Sequence, residues 1–146
     1  MPSTRARGFT LIELLVVVGL IALGTAGVSL AMRDGNATRL EREGQRLAAL
    51  LEAARAQSRA SGVAVRWRPQ GSGFVFDGLP GAPLPTTWLE TDTQSVTVDA
   101  VLLGPDPIVA PARIHLSQNS AATGQVSPRV QVVTDGLRPF RVEVGE

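Results

Sequence analysis

The sequence predicts an α+β protein in which one long N-terminal helix packs on antiparallel strands, about six of them. Three observations carry this expectation. Residues 14–32 contain no charged side chain. Residues 37–61 repeat leucine and alanine at helical spacing, and from residue 63 onward the apolar period falls to two with no further helical pattern. Strands that follow one another without intervening helices pair antiparallel rather than through crossovers. A chain of 146 residues, 44% apolar and 18% charged, suits one modest folded domain plus an appendage.

The appendage comes first. Residues 1–8 carry Arg5 and Arg7 and no acid, the flank that stays cytoplasmic under the positive-inside rule. Residues 14–32 would rise roughly 29 Å as a helix, enough for a bilayer core, so residues 9–32 are expected to span the inner membrane. The acid Glu13 stands at the head of this run. A carboxylate in hydrocarbon costs about 2.5 kcal/mol or more, so it persists only where something compensates it.

Past Met32 the residues Arg33, Asp34, Gly35 and Asn36 weaken helices, and a loosened turn is expected there. Over residues 37–61 the helical pattern returns, with Leu40, Leu47, Leu51 and Ala54 on one narrow face and Leu50 beside them. The pairs Arg39 with Glu43, Glu43 with Arg46 and Glu52 with Arg55 read as a solvated charged face. Gly62 suits a C-terminal cap.

The strands follow over residues 63–146. Val63, Val65 and Trp67 alternate with Ala64 and Arg66, and a turn at Gly71, Ser72 and Gly73 leads to Phe74 and Phe76, which predicts a hairpin. Pro80, Pro83 and Pro85 mark an irregular loop before Trp88. Further alternation appears in Val96, Val98 and Leu102, in Ile114 and Leu116, in Val130 and Val132, and in Phe140, Val142 and Val144. Turns are expected at Gly104-Pro105, over residues 118–124 and at Asp135-Gly136. The inner strand faces should cover the Leu40 to Ala54 stripe.

Residues 8–14, Gly-Phe-Thr-Leu-Ile-Glu-Leu, together with the basic leader and the apolar run behind them, resemble the N-terminus of type IV pilins and pseudopilins. The resemblance implies that a membrane-embedded prepilin peptidase cuts between Gly8 and Phe9 and methylates the new amine of Phe9. It supplies a partner for Glu13, the terminal ammonium of an adjacent subunit, paired when these helices pack into a filament. Glu13 could also pair with its own amine at i, i+4 spacing. A pilin-like fold follows, with residues 1–8 as leader, 9–32 as membrane and assembly helix, and 33–146 as a periplasmic domain.

The run from Leu40 to Pro69, followed by Gly73, Phe74, Val75 and Phe76, is similar to the family that joins the minor pseudopilin GspH of type II secretion with FimT-type minor pilins. In one subfamily the subunit sits near the tip of a short periplasmic pseudopilus, beside other minor pseudopilins and the major pseudopilin, and helps export folded proteins. In the other it belongs to a type IV pilus and binds DNA during uptake. The secretion role is expected here. Formal net charge is only +1, all of the basic residues being arginine, and falls to about −1 without Arg5 and Arg7. DNA capture would need a clustered basic surface. Arg129, Arg138 and Arg141 could form one, diluted by Asp135, Glu143 and Glu146.

Catalytic patterns are missing from the sequence. With no Cys and one His, neither a thiol nucleophile nor a His/Cys metal site can be built. His115 reads as a solvent-facing strand residue, and Ser117, Ser120 and Thr123 lie in no nucleophile-elbow pattern. No enzyme, cofactor or metal is expected. Trp67 and Trp88, the largest apolar anchors, read as core or as candidate subunit contacts.

Overall fold

The computed structural model describes residues 10–119 and 129–144, without the side chains of residue 26 and residues 28–34. Helix α1 is Leu11–Ser61. The backbone is helical through Arg33, Asp34, Gly35 and Asn36, so the expected loosened turn is not formed. A single Gly costs a helix only about 1 kcal/mol relative to Ala, and no proline interrupts these turns. By compactness the chain nevertheless divides here, into Met1–Gly35 and Asn36–Glu146.

In the first unit the large aliphatic side chains face solvent. Leu11 is 79% exposed, Leu23 76%, and those between are at least 41% exposed. Among the described residues no helix is long and apolar enough to cross a membrane, so the expected span over residues 9–32 is not found within them. The side chains described without interruption, residues 10–25, would rise about 24 Å as a helix, short of a ~30 Å hydrocarbon core. The rest of the expected span includes positions outside the described side chains.

The described residues of the second unit form seven strands rather than six, in two antiparallel sheets. Strands β1 (Arg66–Gln70), β2 (Gly73–Asp77) and β4 (Val101–Leu102) form one, in the order β2-β1-β4. Strands β3 (Thr93–Ser95), β5 (Ala112–Gln118), β6 (Arg129–Thr134) and β7 (Arg141–Val144) form the other, in the order β3-β5-β6-β7. The extra strand arises where a single strand through Val96, Val98 and Leu102 was expected. Thr93–Ser95 pairs with β5, Val101–Leu102 pairs with β1 in the other sheet, and Val98 between them is 84% exposed. The first hairpin forms as expected, with Trp67 opposite Phe76 and Gly71 at φ 58° in its turn, but it begins at Arg66 and leaves Val63 exposed. Of the expected turn over residues 118–124, positions 120–124 lie outside the described residues.

The core is the one the periodicities predict. Leu40, Leu47, Leu51 and Ala54 are buried against Val65, Trp67, Phe74, Ile114, Leu116, Val130 and Val132. The approach is closest at Gly44, where an added Cβ would lie 2.9 Å from Val130 Cγ1 and 3.3 Å from Val142 Cγ2. Any larger residue would have to push these valine methyls aside for the helix to lie this near β6 and β7.

The charged face of the helix is not solvated as expected. Glu43 is 1% exposed and Arg55 2%. Glu43 Oε2 accepts from the Leu89 N–H at 2.7 Å and the Glu90 N–H at 3.4 Å, and Oε1 accepts from Arg46 Nη1 at 3.1 Å. Arg55 Nη2 donates to the Gly136 carbonyl at 2.8 Å and the Pro107 carbonyl at 3.1 Å, and Nη1 donates to the Arg138 carbonyl at 3.5 Å. Glu52 pairs with Arg55 at 3.6 Å and accepts from the Phe140 N–H at 3.0 Å. No Arg39–Glu43 pair forms; the Glu43 carboxylate is committed to the loop. These side chains fasten irregular segments to the helix, and a fully buried hydrogen bond to a charged group, such as that from Arg55 to the Gly136 carbonyl, contributes about 1.5–3 kcal/mol.

Candidate functional site

The N-terminal end of α1 is built from Thr10 and Glu13. Thr10 Oγ1 accepts from the Glu13 N–H at 3.3 Å, and its carbonyl accepts from the Leu14 N–H at 3.2 Å, so Thr10 caps the helix. The spacing Thr-x-x-Glu is that of a capping box. Only the threonine half of the box is formed among the described residues, since no bond links the Thr10 N–H to the Glu13 carboxylate. A carboxylate in the first turn is also favoured by the helix dipole, by about 0.3–1 kcal/mol. Glu13 is exposed, and its carboxylate has no partner among the described residues. Gly8 and Phe9, the processing residues of the sequence analysis, lie outside the described residues.

Trp67 and Trp88 are core residues, so their reading as subunit contacts gives way. Trp67 is fully buried and Trp88 is 9% exposed. Phe74 joins them, with ring centroids 6.2 Å from Trp67 and 4.6 Å from Trp88. Alternation places Trp67 on the inner face of β1, whereas Trp88 belongs to a loop whose fold over the sheet is tertiary.

The three arginines near the C-terminus do not converge on one spot. Arg129 opens β6 opposite Ser117, while Arg141 lies opposite Val133 near the other end of that strand, about 13 Å away. Arg138 sits in the connecting turn, 3.5 Å from Asp135, and Arg141 donates to Glu143 at 2.8 Å. Two backbone N–H groups, of Arg138 at 2.7 Å and Leu137 at 3.0 Å, hold the Asp135 carboxyl below its usual range, with Arg138 and Arg141 adding to the effect. In the same turn Gly136 adopts φ 88°, and a Cβ there would strike the Val109 carbonyl, so this position requires glycine.

His115 lies on the outer face of β5 opposite Gln131, half-buried. Among the described residues no group of three His, Cys, Asp or Glu side chains could hold a metal ion. The features sequence reasoning missed are the Thr10 cap and the buried Glu43 and Arg55. The first had a local signature; the others had none, because an i, i+3 charge pair looks the same whether solvent or a loop lies above it.

Searches among curated proteins and among solved structures return no match. Residues 3–29 match the family described as the prokaryotic N-terminal methylation motif. That motif implies processing by prepilin peptidase and assembly with other pilin-like subunits. The exposed aliphatic helix, its capped first turn and Glu13 therefore belong to a segment that carries the N-terminal methylation motif of type IV pilin-like proteins.

Proposed function

We propose that this chain is a structural minor pseudopilin, GspH-like, of a type II secretion pseudopilus, anchored in the inner membrane by its N-terminal segment until it assembles. The observation that carries the pilin-like part is the methylation motif over residues 3–29, set on a helix whose aliphatic side chains are exposed. Apolar surface on this scale calls for lipid or neighbouring helices. In this reading prepilin peptidase cuts after Gly8 and methylates Phe9. The Glu13 carboxylate then meets the new ammonium of an adjacent subunit as the helices leave the lipid. Removing one member of such a buried pair strands the other, at a cost of about 3–5 kcal/mol, so the pair sets register.

The secretion assignment, and a structural rather than catalytic role, rest on the resemblance of residues 40–76 and on the lack of a converged basic site. A FimT-like role in DNA uptake would use Arg129, Arg138 and Arg141, but these are dispersed, and Arg138 and Arg141 are already engaged by Asp135 and Glu143. Deletion of the gene in its host, scored for secreted enzymes and for DNA uptake, tests the assignment. Lost secretion restored by the wild-type gene supports it; intact secretion with lost uptake moves the chain to a pilus.

A further inference from the structure

Strand β7 ends the order β3-β5-β6-β7, and the register shows which of its backbone groups face the open edge. The His115 carbonyl accepts from the Val96 N–H at 2.9 Å, and the Asn119 N–H donates to the Asp92 carbonyl at 2.8 Å. Odd-numbered residues of β5 therefore bond toward β3, and even-numbered ones toward β6. Ile114 with Val132 and Leu116 with Val130 are then hydrogen-bonded pairs, which turns Val133 and Gln131 toward Arg141 and Glu143 of β7. Val142 and Val144 point their N–H and C=O groups away from β6. The Phe140 N–H keeps the same phase, donating to Glu52 Oε1 at 3.0 Å. The outward groups of Val142 and Val144 have no partner among the described residues. By contrast, at the β2 edge the Phe74 N–H donates to the Thr86 carbonyl at 2.9 Å, and at the β3 edge the Thr93 N–H donates to the Glu90 carbonyl at 3.1 Å.

A groove of about 410 Å³ runs between the β7 edge and α1, with Ala48, Ala49, Phe140 and Val142 in its lining. Val142 lies opposite the core residue Val132, so Val142 and Val144 share the face turned to the helix, and Arg141 and Glu143 share the outer face. Val144 is nevertheless 70% exposed. Glu41, Glu52 and Arg141 also border the groove. Glu52 is engaged by Arg55 and the Phe140 N–H, and Arg141 by Glu143. Glu41 accepts only from Gln45, at 3.4 Å, among the described residues. Because Glu52 meets Phe140 and Gly44 meets Val142, Glu41 lies toward the Val144 end.

We infer that an extended strand of another protein completes this edge, pairing antiparallel across Val142. Donor and acceptor together, repeated two residues apart, are what a peptide backbone matches. The incoming residue opposite Val142 enters the groove over Ala48 and Ala49, which calls for an apolar side chain. The residue before it meets Glu143 and the residue after it meets Arg141, which selects the order base, apolar, acid. Asp135 and Glu143 balance Arg113 and Arg141 on the outer face, so direct opposition of each pair, rather than net charge, sets this order. A second base, opposite Val144, would meet Glu41. The inference holds for a pseudopilus and a pilus alike.

Fluorescence anisotropy on the full chain in nonionic detergent tests it. The probe is the labelled peptide Ser-Thr-Lys-Lys-Val-Glu-Val-Thr. One control carries an N-methyl group on the amide of its first valine, which removes the donor to the Val142 carbonyl; another exchanges lysine and glutamate throughout. N-methylation should weaken binding about tenfold or more, and charge exchange about threefold or more. Val142→Pro deletes the outward N–H without touching the bonds to β6, a change that edge strands tolerate, and should also weaken binding about tenfold. Val98→Ser, at a position 84% exposed and outside β7, should change it less than about twofold. Unchanged tryptophan fluorescence checks that each variant is folded, and the methylated peptide tests the unaltered chain. Absence of binding, equal binding of either control peptide, or full binding by folded Val142→Pro overturns the inference. Self-association of the chain alone, abolished by Val142→Pro, would overturn it in favour of a second copy at this edge.

Discussion

Replacing Arg55 by Ala should be the most damaging single truncation on the polar side of the helix. The guanidinium ties two segments, around Pro107 and around residues 136–138, to one helical turn. Its bond to the Gly136 carbonyl is fully buried, and a buried hydrogen bond from a charged donor is worth about 1.5–3 kcal/mol. The bonds to Pro107 and Arg138 are only part-buried, and the latter is long at 3.5 Å, so together they add about 1 kcal/mol. Arg55 Nε has no partner, which offsets part of this gain, while loss of the buried aliphatic stem adds to the cost. The expected loss is about 3 kcal/mol, a large share of the 5–15 kcal/mol that holds a domain together. At roughly 4 °C per kcal/mol, the midpoint should fall by about 12 °C. Thermal unfolding followed by the fluorescence of buried Trp67 and Trp88 measures it. Hydrogen exchange should show the Val109 amide, which donates to Gly136, losing protection first. Arg59→Ala, which removes an exposed bond to the same Pro107 carbonyl, should cost less than about 1 kcal/mol. If the two substitutions prove equally mild, the guanidinium does not hold these turns and the reasoning fails.

Other consequences are as direct. Gly44→Val should destabilise the domain by about 1–3 kcal/mol through overpacking against Val130 and Val142, whereas Gly44→Ala recovers about 1 kcal/mol of helix propensity and should fall nearer neutral; chemical denaturation distinguishes them. Because the Asp135 carboxyl is held below its usual range, its contribution is present at neutral pH and is lost as the pH falls below the ordinary aspartate value near 3.9. The exchange rates of the Leu137 and Arg138 amides should rise there, and Asp135→Asn should remove that dependence. Thr10→Ala should fray the start of α1 at a cost of about 0.5–2 kcal/mol yet leave assembly possible, while Glu13→Ala should abolish incorporation into filaments. Equal incorporation of both variants, scored by shearing and immunoblotting, would show that Glu13 serves only the helix start.

The sequence by itself determined the order and kind of most elements, and the position of the motif. Apolar spacing along residues 37–61 and alternation in the strands depend on which face of a local backbone is buried, and that periodicity is written in the chain. The methylation motif is contiguous for the same reason: it must be read as a linear segment by a processing enzyme. What the tertiary structure alone decided is non-local. The expected strand through Val96, Val98 and Leu102 became two because Thr93–Ser95 found β5 and Val101–Leu102 found β1, a choice of partners that no local propensity encodes. Glu43 and Arg55 were read as a solvated stripe from their i, i+3 neighbours, yet each is buried beneath a loop more than forty residues away in sequence. Burial of a charge depends on whether distant backbone arrives to satisfy it, and that arrival is a property of the folded chain.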